Sequence, residues 1–226
     1  MPGRITSKIA YYRRLSADGD REALLGDLRR WWWSDEDAFG LSRDLTMPHT
    51  PPAARIAISI HPLTRELADR VLDPTGLDPA DRREVAHRRR LFESSLGTGY
   101  VALTEDGSPC YVQWAIPGAQ AAGVDDFFRG IFPHLRPDEL LLEGAWAHPN
   151  ARGQRVMAEA MSRITEAGAR PEHRRAITFV AVDNEASLRG CHSAGFSNYI
   201  ARHEHWRFGR RAVAWGALDP GLDIAS

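Results

Sequence analysis

The sequence predicts an α/β domain built on a mixed sheet. Strand-like and helix-like segments alternate through the middle of the chain, and a two-strand pattern with a Gly-Arg-Arg turn closes it. The 226 residues are 43% hydrophobic and 26% charged, enough apolar material for one sizeable core with a solvated surface.

Residues 1–54 read as an N-terminal extension, 55–218 as the main domain and 219–226 as a tail. The extension opens with Tyr11-Tyr12-Arg13-Arg14. Asp18-Gly19-Asp20 is a turn and helix cap before Arg21 to Arg30. In Trp31-Trp32-Trp33, three consecutive residues sweep too wide an arc for one helix face to bury them all. They fit either a staple that holds the extension to the main domain and buries most of their area there, or a partner or substrate surface. Pro48, Pro51 and Pro52 mark a linker.

Ile56–Ile60 is the first expected strand, and Leu63–Leu72 and Pro79–Leu96 are helices. His87-Arg88-Arg89-Arg90, in the second helix, reads as a solvated basic face. Tyr100–Thr104 and Cys110–Ile116 flank Glu105-Asp-Gly-Ser-Pro109, a hairpin signal. Val124–Phe132 fits a short helix and Leu140–Ala147 a largely buried strand. In Ala151–Ala169, Val156, Met157, Ala160, Met161 and Ile164 form an apolar stripe at helical spacing. Ala176–Val182 is a buried strand, Asn184–Ala194 a helix ended by Gly195, and Phe196–Phe208 and Ala212–Leu218 are the closing strands.

The net charge of −1 gives no global electrostatic case for nucleic acid or an anionic membrane. Lys8 is the only lysine, so almost all cations are arginines, which suit bidentate anion recognition. Cys110 and Cys191 form neither a disulfide framework nor a metal spacing, and a reducing cytoplasm is the expected location. No leader-like apolar run opens the chain and no stretch of about 18 apolar residues occurs, so no membrane association is expected. His203 and His205 share a strand face, but no further ligands stand at a telling spacing, and no metal is expected.

The segment Ala147-His-Pro-Asn-Ala-Arg-Gly-Gln-Arg-Val-Met157 runs from a strand through a turn into a helix N-terminus. That arrangement gathers unpartnered amides and a favourable dipole at one point, a ready anion site. Asp183-Asn-Glu-Ala-Ser-Leu-Arg-Gly-Cys-His-Ser-Ala-Gly-Phe196 follows after a helix and a strand. Glu143, a lone charge in an apolar strand, is a candidate general base whose pKa burial would raise, or else an ion-paired sheet residue. Glu139 is a second candidate base, and His148 a turn histidine.

In this order the two segments resemble the acyl-coenzyme A signature of the GNAT superfamily of N-acyltransferases. The resemblance covers residues 56–218 and concentrates in 140–196. It implies a mostly antiparallel mixed sheet flanked by helices. It also implies direct transfer of an acyl group, acetyl in the first instance, from acetyl-CoA or another acyl-CoA to an amine. Under it, Ala147, Arg152, Gly153, Gln154, Arg155, Val156 and Met157 bind the donor's pyrophosphate arm. Asn184 and Arg189 support it, and Cys191 takes the place of the family's proton-donating tyrosine. Arg155 and Met157 stand where the family carries small residues. Those departures keep two alternatives open: a GNAT-fold transferase with a carrier-protein or aminoacyl-tRNA donor, and a non-catalytic binding protein with a degenerate site. The expected partner is a small-molecule amine whose identity no motif specifies, and a homodimer is compatible with the sequence.

Overall fold

In the computed structural model of the chain, residues 32–218 are described. The expectations for residues 1–31, including Trp31, and for the tail 219–226 lie outside them. Among the described residues two compact units emerge: a larger one, residues 39–200 with Leu218, and a smaller one, residues 32–38 with Ala201–Ala217. This division differs from a cut at residue 54.

Eight strands are described: β1 (Trp33–Asp44), β2 (Ile58–Pro62), β3 (Thr98–Thr104), β4 (Pro109–Pro117), β5 (Glu139–Ala147), β6 (Arg175–Ala181), β7 (Ser197–Arg207) and β8 (Arg210–Gly216). Five α-helices accompany them: α1 (Arg65–Val71), α2 (Pro79–Glu93), α3 (Ala121–Phe128), α4 (Val156–Gly168) and α5 (Glu185–Ser193). In the larger unit the strands run β2-β3-β4-β5-β6, with the second half of β1 next to β6. β2 to β5 pair antiparallel in succession, and β5 pairs with β6 in parallel. This is the mixed, mostly antiparallel arrangement expected. Two apolar clusters fill the unit. One joins Tyr111, Ala115 and Leu142 to Met161, Cys191 and Phe196. The other joins Val112, Trp114 and Leu141 to Leu91, Val124 and Phe128. Successive β4 residues therefore serve opposite faces, as a strand's two-residue period requires.

β1 was not anticipated. Its first half, Trp33-Ser-Asp-Glu-Asp37, is mostly exposed and acidic, whereas Ala38-Phe-Gly-Leu41 is buried. Inside the larger unit the buried Arg43 of β1 donates to Ser162 Oγ at 3.1 Å and pairs with Glu166 at 3.3 Å, fastening β1 to α4. In the smaller unit β7 and β8 form a hairpin. There Trp32 and Trp33 pack edge-on against Phe208 at 5.1 and 6.1 Å, yet each remains 55% exposed. The expectation that the tryptophans bury most of their area is thus corrected for these two: an edge-on ring contact covers only one side of an indole. His203 pairs with Asp37 at 2.8 Å.

Helix α4 starts at Val156, where its apolar stripe begins, and not at Ala151 as expected. Pro149–Ala151 forms a single 3-10 turn, and Gly153 and Arg155 both take positive φ, +77° and +60°. Two left-handed residues cannot continue a helix, so α4 begins at Val156. α1, α2 and α5 have boundaries close to expectation, whereas α3 spans Ala121–Phe128, earlier than the expected Val124–Phe132. Asn184 caps α5 by accepting from Ser187 N at 3.1 Å, and Gly195 leaves that helix at φ +88°.

Candidate functional site

The parallel pairing of β5 with β6 covers only Glu139–Leu141 against Arg175–Ile177. Beyond it both strands continue, β5 to Ala147 and β6 to Ala181, without pairing to each other. The splay opens a cavity of about 170 Å³ whose walls include Glu143, Gly144 and Ala145 of β5, Thr178 to Ala181 of β6, and Asn184, Ser187 and Cys191. Leu142, Met157, Arg88 and Gln113 complete the lining. A larger groove, about 1000 Å³, lies between the β3–β4 turn and residues 148–151. Of the predicted candidates only His148 reaches that groove, so the smaller cavity is where the chemistry converges.

β5 carries a bulge at this point. Val112 faces Trp146 and Trp114 faces Glu143, so Gln113 alone stands opposite Gly144 and Ala145. Gly144 sits at φ +70°, a conformation that favours glycine. The carbonyls of Gly144 and Ala145 accept from Arg88 Nε at 3.1 Å and from Nη2 at 2.7 Å. Arg88 is buried and also pairs with Glu84.

The expected solvated basic face is therefore corrected. Arg88 turns inward, Arg89 bonds Asp69 and the carbonyl of Leu72, and His87 packs beside Phe127 and Phe128. Burial chiefly, with Arg88 and Arg90 adding repulsion, pulls the His87 pKa from 6.5 down to about 4. A histidine held neutral in the folded state stabilises less as pH falls, because below pH 6.5 the unfolded chain binds a proton that the folded chain refuses until about pH 4. Between those values the loss should be roughly 2–3 kcal/mol, taking 1.36 kcal/mol per pKa unit and discounting for the partly exposed ring. His87→Phe should flatten that part of the curve of urea stability against pH. An unchanged slope would remove His87 as its source.

The predicted site residues divide into three groups. Glu143, Met157, Asn184 and Cys191 line the cavity together. Ala147, Arg152, Gly153, Gln154, Arg155 and Val156 form the passage from β5 to α4. Arg189 lies on an exposed part of α5 and pairs with Glu185 at 3.0 Å. Within the passage, Arg152 N donates to Pro149 O at 3.2 Å and Gln154 N to Ala151 O at 3.3 Å. Those two amides close the 3-10 turn, which corrects the expectation that they face an anion. Val156 and Met157, in the first turn of α4, have amides that helix geometry leaves without an intrahelical acceptor. Gly153 has nothing within 4 Å of where a Cβ would stand. Met157 fills space against Gly190 of α5, where an added Cβ would meet its sulfur at 3.0 Å. The bulk of Met157 here serves helix packing.

The passage is held from both sides. Arg55 N donates to Gln154 O at 2.8 Å, and Ala54 N to the Glu159 carboxylate at 2.6 Å. Across from them the buried Asp81 accepts from Trp146 Nε1 at 3.1 Å and pairs with Arg152. The Arg152 hydrogen bond, chiefly, holds the Asp81 carboxyl below the usual carboxylate range. Arg152 Nε also donates to Ala147 O at 3.3 Å. The Arg152 side chain is thus a brace for the turn, whereas Arg155 is exposed.

Cys191 is 1% exposed, and burial pushes its thiol up to about 12. A thiol whose burial disfavours its thiolate is a poor proton donor to another thiolate. Cys191 therefore suits the cavity wall better than the role of acid. Glu139 is buried in ion pairs with Arg175 and Arg136 and accepts from Arg136 N at 2.9 Å, a structural arrangement. His148 Nδ1 accepts from Asn150 N at 3.3 Å and its ring meets Trp146 edge-on. Asp81, Arg88 and Gln113 were missed. Gly144, a lone glycine inside an apolar strand, was the one sequence signal for the bulge that Arg88 and Gln113 flank.

Among solved structures, the chain is similar to a GNAT-family acetyltransferase from Colwellia psychrerythraea. The TM-score is 0.53 at 11% identity, over 77% of this chain and 57% of that one. It is also similar to the GCN5-related glucosamine N-acetyltransferase region of a fungal multi-domain GH3 beta-N-acetylglucosaminidase. That TM-score is 0.51 at 13% identity, over 82% of this chain and 23% of that one. The chain thus spans little more than half the length of the first and about a quarter of the second. No protein-family model and no curated protein matches the sequence. The fold is that of the GNAT acetyltransferases.

Proposed function

We propose that this chain, GNAT-like in fold, is a GNAT-type acyltransferase that moves an acyl group from acetyl-CoA or another acyl-CoA to a small-molecule amine. The observation that carries this reading is the splay of β5 from β6. It opens a cavity with a carboxylate, Glu143, in its wall. In the reaction the amine nitrogen bonds to the thioester carbonyl carbon and the carbon–sulfur bond breaks. The ammonium proton passes to Glu143, directly or through water, and the departing thiolate takes a proton from solvent. Val156 and Met157 offer amides, and Arg155 an exposed cation, to the donor's pyrophosphate. The buried, unpaired Cys110 and Cys191 support a cytoplasmic setting.

The test is thermal denaturation with acetyl-CoA, followed by thiol release over an amine panel. Donor at 100 times its Kd stabilises a folded protein by about 2.7 kcal/mol, so the melting temperature should rise. No shift, with no calorimetric binding at millimolar donor, would remove the reading. One observation favours a binding protein without turnover: Arg152 and two turn amides are already engaged within the chain. Donor binding without thiol release from any amine would select that alternative.

A further inference from the structure

Gln113 is the one polar side chain of the cavity wall that is completely buried and half satisfied. It is 0% exposed, and its Oε1 accepts from the Tyr111 hydroxyl at 2.9 Å. Its Nε2 has no hydrogen-bond partner among the described residues. A buried amide nitrogen without an acceptor is destabilising, so a ligand atom that supplies one would be bound with advantage. The surrounding backbone does not satisfy it. Gln113 faces the Gly144–Ala145 bulge, and both of those carbonyls take their hydrogen bonds from Arg88.

The orientation of the carboxamide is held by its neighbour. Tyr111 and Gln113 lie two residues apart on one face of β4. Complete burial keeps the Tyr111 phenol protonated, well above its ordinary value of 10.0. The phenol donates to Oε1, which leaves Nε2 without an acceptor in a residue of the cavity wall.

We propose that Gln113 Nε2 donates a hydrogen bond to the carbonyl oxygen of the donor's acyl thioester. This rests on the acyl-transfer reading above. The same bond strengthens as the amine attacks: the nitrogen–carbon bond forms, charge gathers on the carbonyl oxygen, and the amide donor is already in place to receive it. When the carbon–sulfur bond breaks the charge leaves on sulfur, and the product amide carbonyl keeps the hydrogen bond. Gln113 thereby distinguishes an acylated donor from one lacking a carbonyl oxygen.

Calorimetry with acetyl-CoA and with its thioether analogue S-ethyl-CoA, which lacks that oxygen, isolates this contact. The unsubstituted protein should favour acetyl-CoA by about tenfold, equivalent to about 1.4 kcal/mol. Gln113→Met, which keeps length and removes the donor, should bring the two affinities together. Gln113→Asn, which keeps polarity but withdraws the amide by one methylene, should do the same if the Met variant does not fold. Tyr111→Phe should narrow the preference partway. Equal affinities in the unsubstituted protein, or a preference that persists in folded Gln113→Met or Gln113→Asn, would overturn the role of Gln113 alone. Failure of the unsubstituted protein to bind either compound would overturn the acyl-transfer reading, and this one with it.

Discussion

Arg88→Ala is expected to lower the stability of the folded chain by about 2–6 kcal/mol. Two backbone acceptors, Gly144 O and Ala145 O, lose their guanidinium donor, and an unsatisfied buried acceptor costs about 1–3 kcal/mol. Both carbonyls belong to a bulge that the β4–β5 ladder skips, so no neighbouring strand amide can replace the lost donor. Arg88→Lys should recover part of the loss. A single ammonium can reach one carbonyl, whereas the planar fork of arginine serves both. Urea denaturation of the three proteins reads the series directly. An Ala variant within about 0.5 kcal/mol of the parent, the ordinary range for an inert surface change, would show that the bulge does not depend on Arg88.

Arg155→Gly should move affinity and stability in different directions. Arg155 is exposed at φ +60°, a left-handed conformation costing a non-glycine residue about 1–2 kcal/mol. Glycine removes that strain but gains freedom in the unfolded chain, so the stability should stay level or rise by up to about 1 kcal/mol. Donor affinity should fall about tenfold or more. The guanidinium hydrogen bond to a phosphate is worth about 1.5–3 kcal/mol, and 1.4 kcal/mol is a factor of ten. A gain in affinity would instead show that Arg155 obstructs the turn, and the pyrophosphate assignment would then be abandoned.

The chain's local signals were legible and its long-range ones were not. The cap at Asn184, the exit at Gly195 and the hairpin around Asp106-Gly107 depend on residues a few positions apart. β1 escaped notice because its acidic first half shows no apolar alternation, and its buried apolar residues are confined to Ala38-Phe-Gly-Leu41. The apolar stripe of α4 was correct, but it could not show that Gly153 and Arg155 would both turn left-handed and delay the helix. Of the cavity's lining residues, Glu143 and Asn184 were singled out from their immediate context. Gln113 reads in sequence as one polar residue in a strand. Its meaning comes from a bulge on another strand and an arginine on a helix 25 residues earlier (113 against 88). Asp81 likewise acquires its role only when α2 meets Trp146 and Arg152.

The brevity of the β5–β6 junction also bears on how the chain folds. Three residue pairs join strands whose first partners, Glu139 and Arg175, are separated by the whole of α4. Closing so long a loop has an entropic cost before any of those pairings returns stability. The β3–β4 hairpin has no such delay, because its turn is only a few residues long. Hairpin first and junction later is the order this topology imposes. The nascent chain therefore carries an unpaired β5 edge until β6 arrives, which is when self-association competes with folding. The ion pairs of Glu139 with Arg175 and Arg136 stand at the first rung of that late pairing. Until β6 brings Arg175, the Glu139 carboxylate leaves a charge at the end of the waiting edge, and that charge discourages another chain from pairing there.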